Sequence, residues 1–197
     1  VSRVGVIGLS MGAGVAVRFA LDHPDRVSAL VAVGPGGIGA KRRYQFLTWA
    51  VMRVPGLLRS CSWALARLPG YLRSALAASL TAGADTPGFE RIVEHAVAEA
   101  RAKSRYREKV LDDWQIYAYG PGAMRLDLTP ELPTLTVPTL WVRGAGDPLV
   151  GADEFAVARA RTPGSRSATI PGAGHIVTYD QPEVFVRLVR EFLATVL

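Results

Sequence analysis

A serine lies between two glycines at Gly8-Leu9-Ser10-Met11-Gly12, after a short β-branched run and before a helix-forming one. In that strand–turn–helix setting, Gly-x-Ser-x-Gly is the pattern of a nucleophile elbow, whose serine hydroxyl projects above a sheet from a tight turn. The crowding of such a turn explains the glycines, since the residues two away from the serine must lack bulk. The helix that follows aims its N-terminus at the same spot. Its free N–H groups and partial positive charge favour an oxyanion, with the Met11 N–H as one donor. A dinucleotide-binding loop is the competing reading of Gly8, Gly12 and Gly14. That fingerprint needs Gly-x-Gly-x-x-Gly and an acidic residue about 20 positions on. Ser10 occupies the second glycine position, and the next strand ends in Val33-Gly34-Pro35 without a carboxylate.

A serine is a weak nucleophile until a base takes its proton. The chain has 3 histidines. His23 precedes a proline at a helix end and reads as structural, while His95 lies among glutamates on a helical stretch and reads as a surface residue. His175 follows Gly172-Ala173-Gly174, a turn from which a ring can swing over a sheet edge, so it is the expected base. The base needs an orienting acid. No carboxylate follows the second strand until Asp85, whereas Asp147 stands in Gly144-Ala145-Gly146-Asp147-Pro148 directly after a later strand. Asp153 and Glu154 are the alternatives, although they read as the start of a helix. Ser10, Asp147 and His175 follow one another in a Ser…Asp…His order known from one fold class.

The elements that must position these residues can be read from patterning. Val4–Gly8 and Val27–Val33 are apolar runs of the kind found in parallel strands buried on both faces, and a helix over about 11–22 lies between them. His23-Pro24-Asp25 ends that helix, because the residue before a proline is pushed out of the helical region. Strand, turn, helix, strand makes a βαβ unit and implies a parallel sheet. Beyond Gly34–Gly39, residues 41–125 show almost no strand-like alternation. Breaks at Pro55-Gly56, Pro69-Gly70 and Pro87-Gly88 suggest four or five helices there, with one or two longer ones across Gly88–Asp113. Strand patterning returns at Pro138–Val142, followed by a helix over about 153–161, a strand at Ser167–Ile170 and a terminal helix from about Gln181. Asp180 and Glu183 are spaced as a capping pair, and Pro182 suits a first helical turn. The expected organisation is a core over residues 1–35 and 131–197, with a helical insertion over 36–130.

Composition agrees with a folded domain. At 49% hydrophobic and 20% charged residues, the 197-residue chain is too apolar to be disordered. It needs no disulfide staple, and its one cysteine, Cys61, fits a reducing compartment. No apolar run is long enough to span a membrane. The net charge of +6 arises entirely in residues 41–113, where basic residues are scattered among Leu, Ala and Trp as on solvated helix faces. That pattern does not suggest a nucleic-acid partner.

Together, Gly8–Gly12, His23-Pro24-Asp25-Arg26-Val27, Gly144–Asp147 and Gly172–His175 resemble the α/β-hydrolase superfamily, in its serine-nucleophile branch. The resemblance covers about residues 1–35 and 132–197. It implies an α/β fold in which the four strands match the fifth to eighth core strands of the family, with the helical insertion standing where the family carries a variable lid. It also implies that the first four family strands, and the loop that usually supplies the second oxyanion donor, are not in this sequence. The chain starts with Val rather than Met, and on this reading it is a fragment that alone should fold and turn over poorly.

The function implied is acyl transfer to water on an ester, thioester or related bond of a mostly apolar small molecule, with Ser10, Asp147 and His175 as triad. No cofactor and no metal is expected, and a cytoplasmic location is. An acyltransferase, a carbon–carbon bond hydrolase and a non-catalytic binding relative are the alternatives. A serine nucleophile argues against the aspartate-using epoxide hydrolases and dehalogenases of the superfamily. Trp49 and Trp63, with Leu57, Leu58, Leu65 and Leu68, could line an apolar substrate pocket or only pack the insertion on itself. Oligomeric state is not readable.

Overall fold

The computed structural model describes residues 2–39, 44–105 and 116–196, which fall into two compact units. The first comprises Val1–Gly39, Ser79–Thr81 and Asp127–Leu197, and the second Ala40–Ala78 and Ala82–Leu126.

The first unit is a parallel four-stranded sheet in the order β1-β2-β3-β4, from strands Val4–Leu9, Val27–Val33, Thr139–Gly144 and Arg166–Ile170. Its helices are α1 (Met11–Asp22), α6 (Ala152–Arg161), the single-turn α7 (Val177–Asp180) and α8 (Pro182–Val196). Side chains alternate across a strand, so each central strand feeds both faces. Leu30, Ala32 and Trp141 pack with Ala13, Val17, Phe155 and Ala158 of α1 and α6. Val31, Val33, Leu140 and Val142 pack with Phe185, Val189 and Phe192 of α8. Helices therefore cover both faces, and the central strands β2 and β3 are mostly apolar without polar–apolar alternation.

The β1 run is of the kind buried on both faces, and it stands at the sheet edge, where Val4 is 43% and Ile7 52% exposed and β1 pairs only with β2 among the described residues. The expected Asp180–Glu183 capping pair is not made among the described residues. Asp180 instead accepts hydrogen bonds from the Thr81 and Gly174 N–H groups at 2.8 and 2.7 Å, and Gln181 starts α8 through its carbonyl. The backbone N–H of His23 closes α1 on the Phe19 carbonyl at 2.8 Å, and its ring lies 5.1 Å from that of Phe19.

The second unit is helical. It contains α2 (Gln45–Met52), α3 (Leu57–Arg67), α4 (Pro69–Ala78) and α5 (Phe89–Arg105), with α3 and α4 packed on α5. Of the one or two longer helices expected over Gly88–Asp113, α5 accounts for Phe89–Arg105, and residues 106–113 lie outside the described residues. Phe89 and Ile92 are buried, but no residue of α3 or α4 is. Several of the basic residues do more than face water: Arg53, Arg67 and Arg73 lie over the rings of Trp49, Trp63 and Phe89.

Candidate active site

The turn between β1 and α1 holds Ser10 at φ 56°, ψ −119°. A non-glycine residue there stores on the order of 1–3 kcal/mol and persists only when its surroundings over-determine it. They do so here. The Ser10 N–H donates to the Val33 carbonyl at 2.8 Å, and the Ser10 carbonyl accepts from the N–H groups of Ala13, Gly14 and Gly36 at 3.0, 3.2 and 2.9 Å. A Cβ on Gly8 would overlap the Gly12 carbonyl and come 2.7 Å from the Ala13 Cα, so the first glycine of the motif is required. The second is not, contrary to the sequence expectation: a Cβ on Gly12 would meet nothing within 4 Å. The glycine this side of the elbow needs is Gly14, whose Cβ would lie 2.6 Å from the Gly36 carbonyl. Met11 opens α1, and as the first helical residue its N–H has no intrahelical acceptor.

Asp147 and His175 meet on two loops held backbone to backbone. The Ala145 N–H bonds the Ile170 carbonyl and the Gly146 N–H bonds the Ala173 carbonyl, both at 2.9 Å. Gly144 permits this approach, since any Cβ there would overlap the Ala173 and Gly174 carbonyls. His175 Nδ1 then lies 2.9 Å from Asp147 Oδ2, with both side chains buried. Asp147 Oδ1 accepts from the N–H groups of Leu149 and Val150 at 2.8 and 3.1 Å. Burial pushes the Asp147 carboxyl up, but the His175 bond and these two backbone donors outweigh it and hold the group below its ordinary value. The carboxylate is therefore ionised at neutral pH, so Nδ1 must donate the hydrogen. In a neutral ring that leaves Nε2 as the acceptor.

What joins the two halves is the loop after β2, which pattern reading treats only as a boundary. Gly36 binds the Ser10 carbonyl, and Gly34, at φ 49°, runs beneath the pair. A Cβ on Gly34 would stand 3.2 Å from both Asp147 Oδ2 and His175 Nδ1. Ser10 is thus linked to the pair through Gly34-Pro35-Gly36, and among the described residues no hydrogen bond runs directly from its side chain to His175. Asp153 and Glu154, the alternative acids, sit in the first turn of α6. Trp49 and Trp63 belong to the helical unit, where Trp63 is 52% exposed and Trp49 Nε1 is buried without a partner. Among the described residues no group of three or more His, Cys, Asp or Glu side chains is placed to hold a metal, and no helix is long and apolar enough to cross a membrane.

Residues 1–188 match the model of the alpha/beta hydrolase family. The chain belongs to that family. Over 188 residues it is 31% identical to the pimeloyl-(acyl-carrier protein) methyl ester esterase of Edwardsiella ictaluri, covering 94% of this chain and 67% of that protein. It is 27% identical to a 2-hydroxy-6-oxononadienedioate/2-hydroxy-6-oxononatrienedioate hydrolase of a Pseudomonas species, covering 98% of this chain and 64% of that protein. A thermophilic esterase from Thermogutta terrifontis has the same fold, with a TM-score of 0.67 at 23% identity, covering 99% of this chain and 66% of that one. This alpha/beta hydrolase chain spans only 57 to 64% of the length of the curated relatives it first matches.

Proposed function

We propose that this chain carries the nucleophile, base and acid of a serine hydrolase that cleaves an ester, thioester or related acyl bond of a mostly apolar small molecule. The observation that carries the reading is the buried His175–Asp147 hydrogen bond of 2.9 Å, tied through Gly34 and Gly36 to a serine at positive φ. In the reaction, Ser10 Oγ attacks the substrate carbonyl while His175 Nε2 takes its proton. Asp147 keeps Nδ1 protonated and stabilises the imidazolium, and the Met11 N–H donates to the oxyanion. His175 next returns the proton to the leaving group, whose bond to the carbonyl carbon breaks. Water then repeats the sequence on the acyl-serine and releases the acid. The helical unit, with Trp49 and Trp63, is proposed as the source of the apolar acyl pocket, since small-molecule sites are mostly apolar with few polar anchors.

A second reading is favoured by one relative. The Pseudomonas protein's name is that of a hydrolase of 2-hydroxy-6-oxo dienoates, so the same triad could serve cleavage of a carbon–carbon bond next to a ketone. The test is a panel of p-nitrophenyl esters from two to twelve carbons, an acyl thioester and a 2-hydroxy-6-oxo dienoate. Turnover rising with ester chain length supports the esterase reading, and turnover of the dienoate alone supports the second. A preference for short, highly polar esters would contradict the proposed pocket.

A further inference from the structure

The sheet-bearing unit has a second cluster of polar side chains, at the opposite edge from β1, and none of Ser10, Asp147 or His175 lines it. Between α6 and the β3–β4 pair lies a groove of about 450 Å³, within the usual range for small-molecule sites. Its polar lining is Arg143, Arg159, Ser167 and Thr169, and its apolar wall is Phe155 with three alanines of α6. No acidic residue lines it. Strand register explains why these groups share a face: Arg143 pairs with Thr169, and Ser167 lies two residues before Thr169.

Arg143 makes this groove unusual. It is 7% exposed, and its Nε is buried with no hydrogen-bond partner. Neither Arg143 nor Arg159 has a side-chain hydrogen bond or ion pair among the described residues. Long charged side chains are almost never buried unless paired, and an orphaned buried donor costs free energy that a bound acceptor would recover. The ordinary account of Arg159, a cation favoured in the last turn of α6, leaves Arg143 unexplained.

We propose that the groove is a binding site for a small organic anion, a carboxylate or phosphate monoester attached to an apolar body. The two guanidinium groups suit such an oxyanion, because their planar forks bind two oxygens at once. The Ser167 and Thr169 hydroxyls can donate to the remaining lone pairs. Phe155 and the alanines give the apolar body a wall to lie against, which a bare inorganic anion cannot use.

The test follows the Arg143 Nε–Hε resonance of the ¹⁵N-labelled full chain, assigned by its absence in Arg143→Lys. Benzoate, phenyl phosphate and inorganic phosphate are titrated at constant ionic strength. We expect a saturable shift of that resonance, with an organic anion bound at least tenfold more tightly than inorganic phosphate. Which head group binds better distinguishes a carboxylate from a phosphate ligand. Arg159→Ala and Thr169→Val change exposed positions and leave the core intact. Arg159→Ala should weaken binding tenfold or more, and Thr169→Val several-fold. A resonance that no anion moves, affinities unchanged in both variants, or inorganic phosphate binding as tightly as the organic anions would each overturn the proposal.

Discussion

Strand β2 buries every residue but Ser28, whereas helices α3 and α4 of the other unit bury none of theirs. In the sheet-bearing unit, backbones approach one another so closely that glycines at 8, 14 and 144 are dictated by contact, and Gly34 by its left-handed backbone. In the helical unit, large side chains such as Phe46, Trp63 and Tyr71 stand exposed, and arginines lie over aromatic rings. Positional precision, which catalysis needs, is thus concentrated where polar groups are buried and over-determined. The helical unit is where shape can vary at small cost.

Substitutions should separate the two regions by orders of magnitude. Asp147→Asn removes the charge that fixes the His175 tautomer and should lower kcat by about 10⁴, the loss known for the equivalent change in a serine protease, with cooperative unfolding retained. A drop of less than tenfold would move the acid to Asp153 or Glu154. Next in size are the close approaches. Gly14→Ala, whose Cβ would lie 2.6 Å from the Gly36 carbonyl, should cost about 1–3 kcal/mol in urea unfolding. Gly34→Ala adds left-handed strain of about 1–2 kcal/mol and should also lower kcat, because it presses on His175. By contrast, Gly12→Ala faces open space and should stabilise α1 by roughly 0.5–1 kcal/mol. Equal effects at 12 and 14 would mean that the sequence motif, not the backbone contact, sets these glycines.

Acid titration gives a subtler contrast. The folded-state pKa of Asp147 is depressed, so the unfolded chain takes up this proton first as pH falls. Its stabilising contribution is present above the ordinary carboxylate range and is lost as pH falls through that range toward the lower folded value. The acid limb of stability should therefore be shallower in Asp147→Asn. The smallest expected effect lies in the helical unit: Trp63→Ala, at an exposed ring, should change stability by no more than about 0.5 kcal/mol while shifting ester chain-length preference. An unchanged preference would remove Trp63 from the proposed pocket.

Legibility in the sequence follows the same divide. Val27–Val33 and the helix over 11–22 are readable because burial on two faces, or a proline boundary, writes itself into consecutive residues. Asp147 and His175 are readable because each stands at a glycine-rich turn after a strand, and the structure places them in contact. Gly34, Gly36 and Asp180 are not readable in these roles. Their partners lie on separate loops, and local spacing carries no trace of a bond between Gly36 and Ser10 or between Asp180 and Thr81. In the helical unit, the Pro-Gly breaks mark helix ends well, but the amphipathic pattern leaves open which ring meets which arginine.

The most direct measurement is covalent labelling of the nucleophile. A fluorophosphonate is added to the folded chain, checked by cooperative unfolding, and the modified residue is located by peptide mass spectrometry. A single phosphonylated residue is expected, Ser10, with labelling abolished in Ser10→Ala and slowed strongly in His175→Ala. Labelling that persists in Ser10→Ala, or an unmodified Ser10 in protein that unfolds cooperatively, would contradict it.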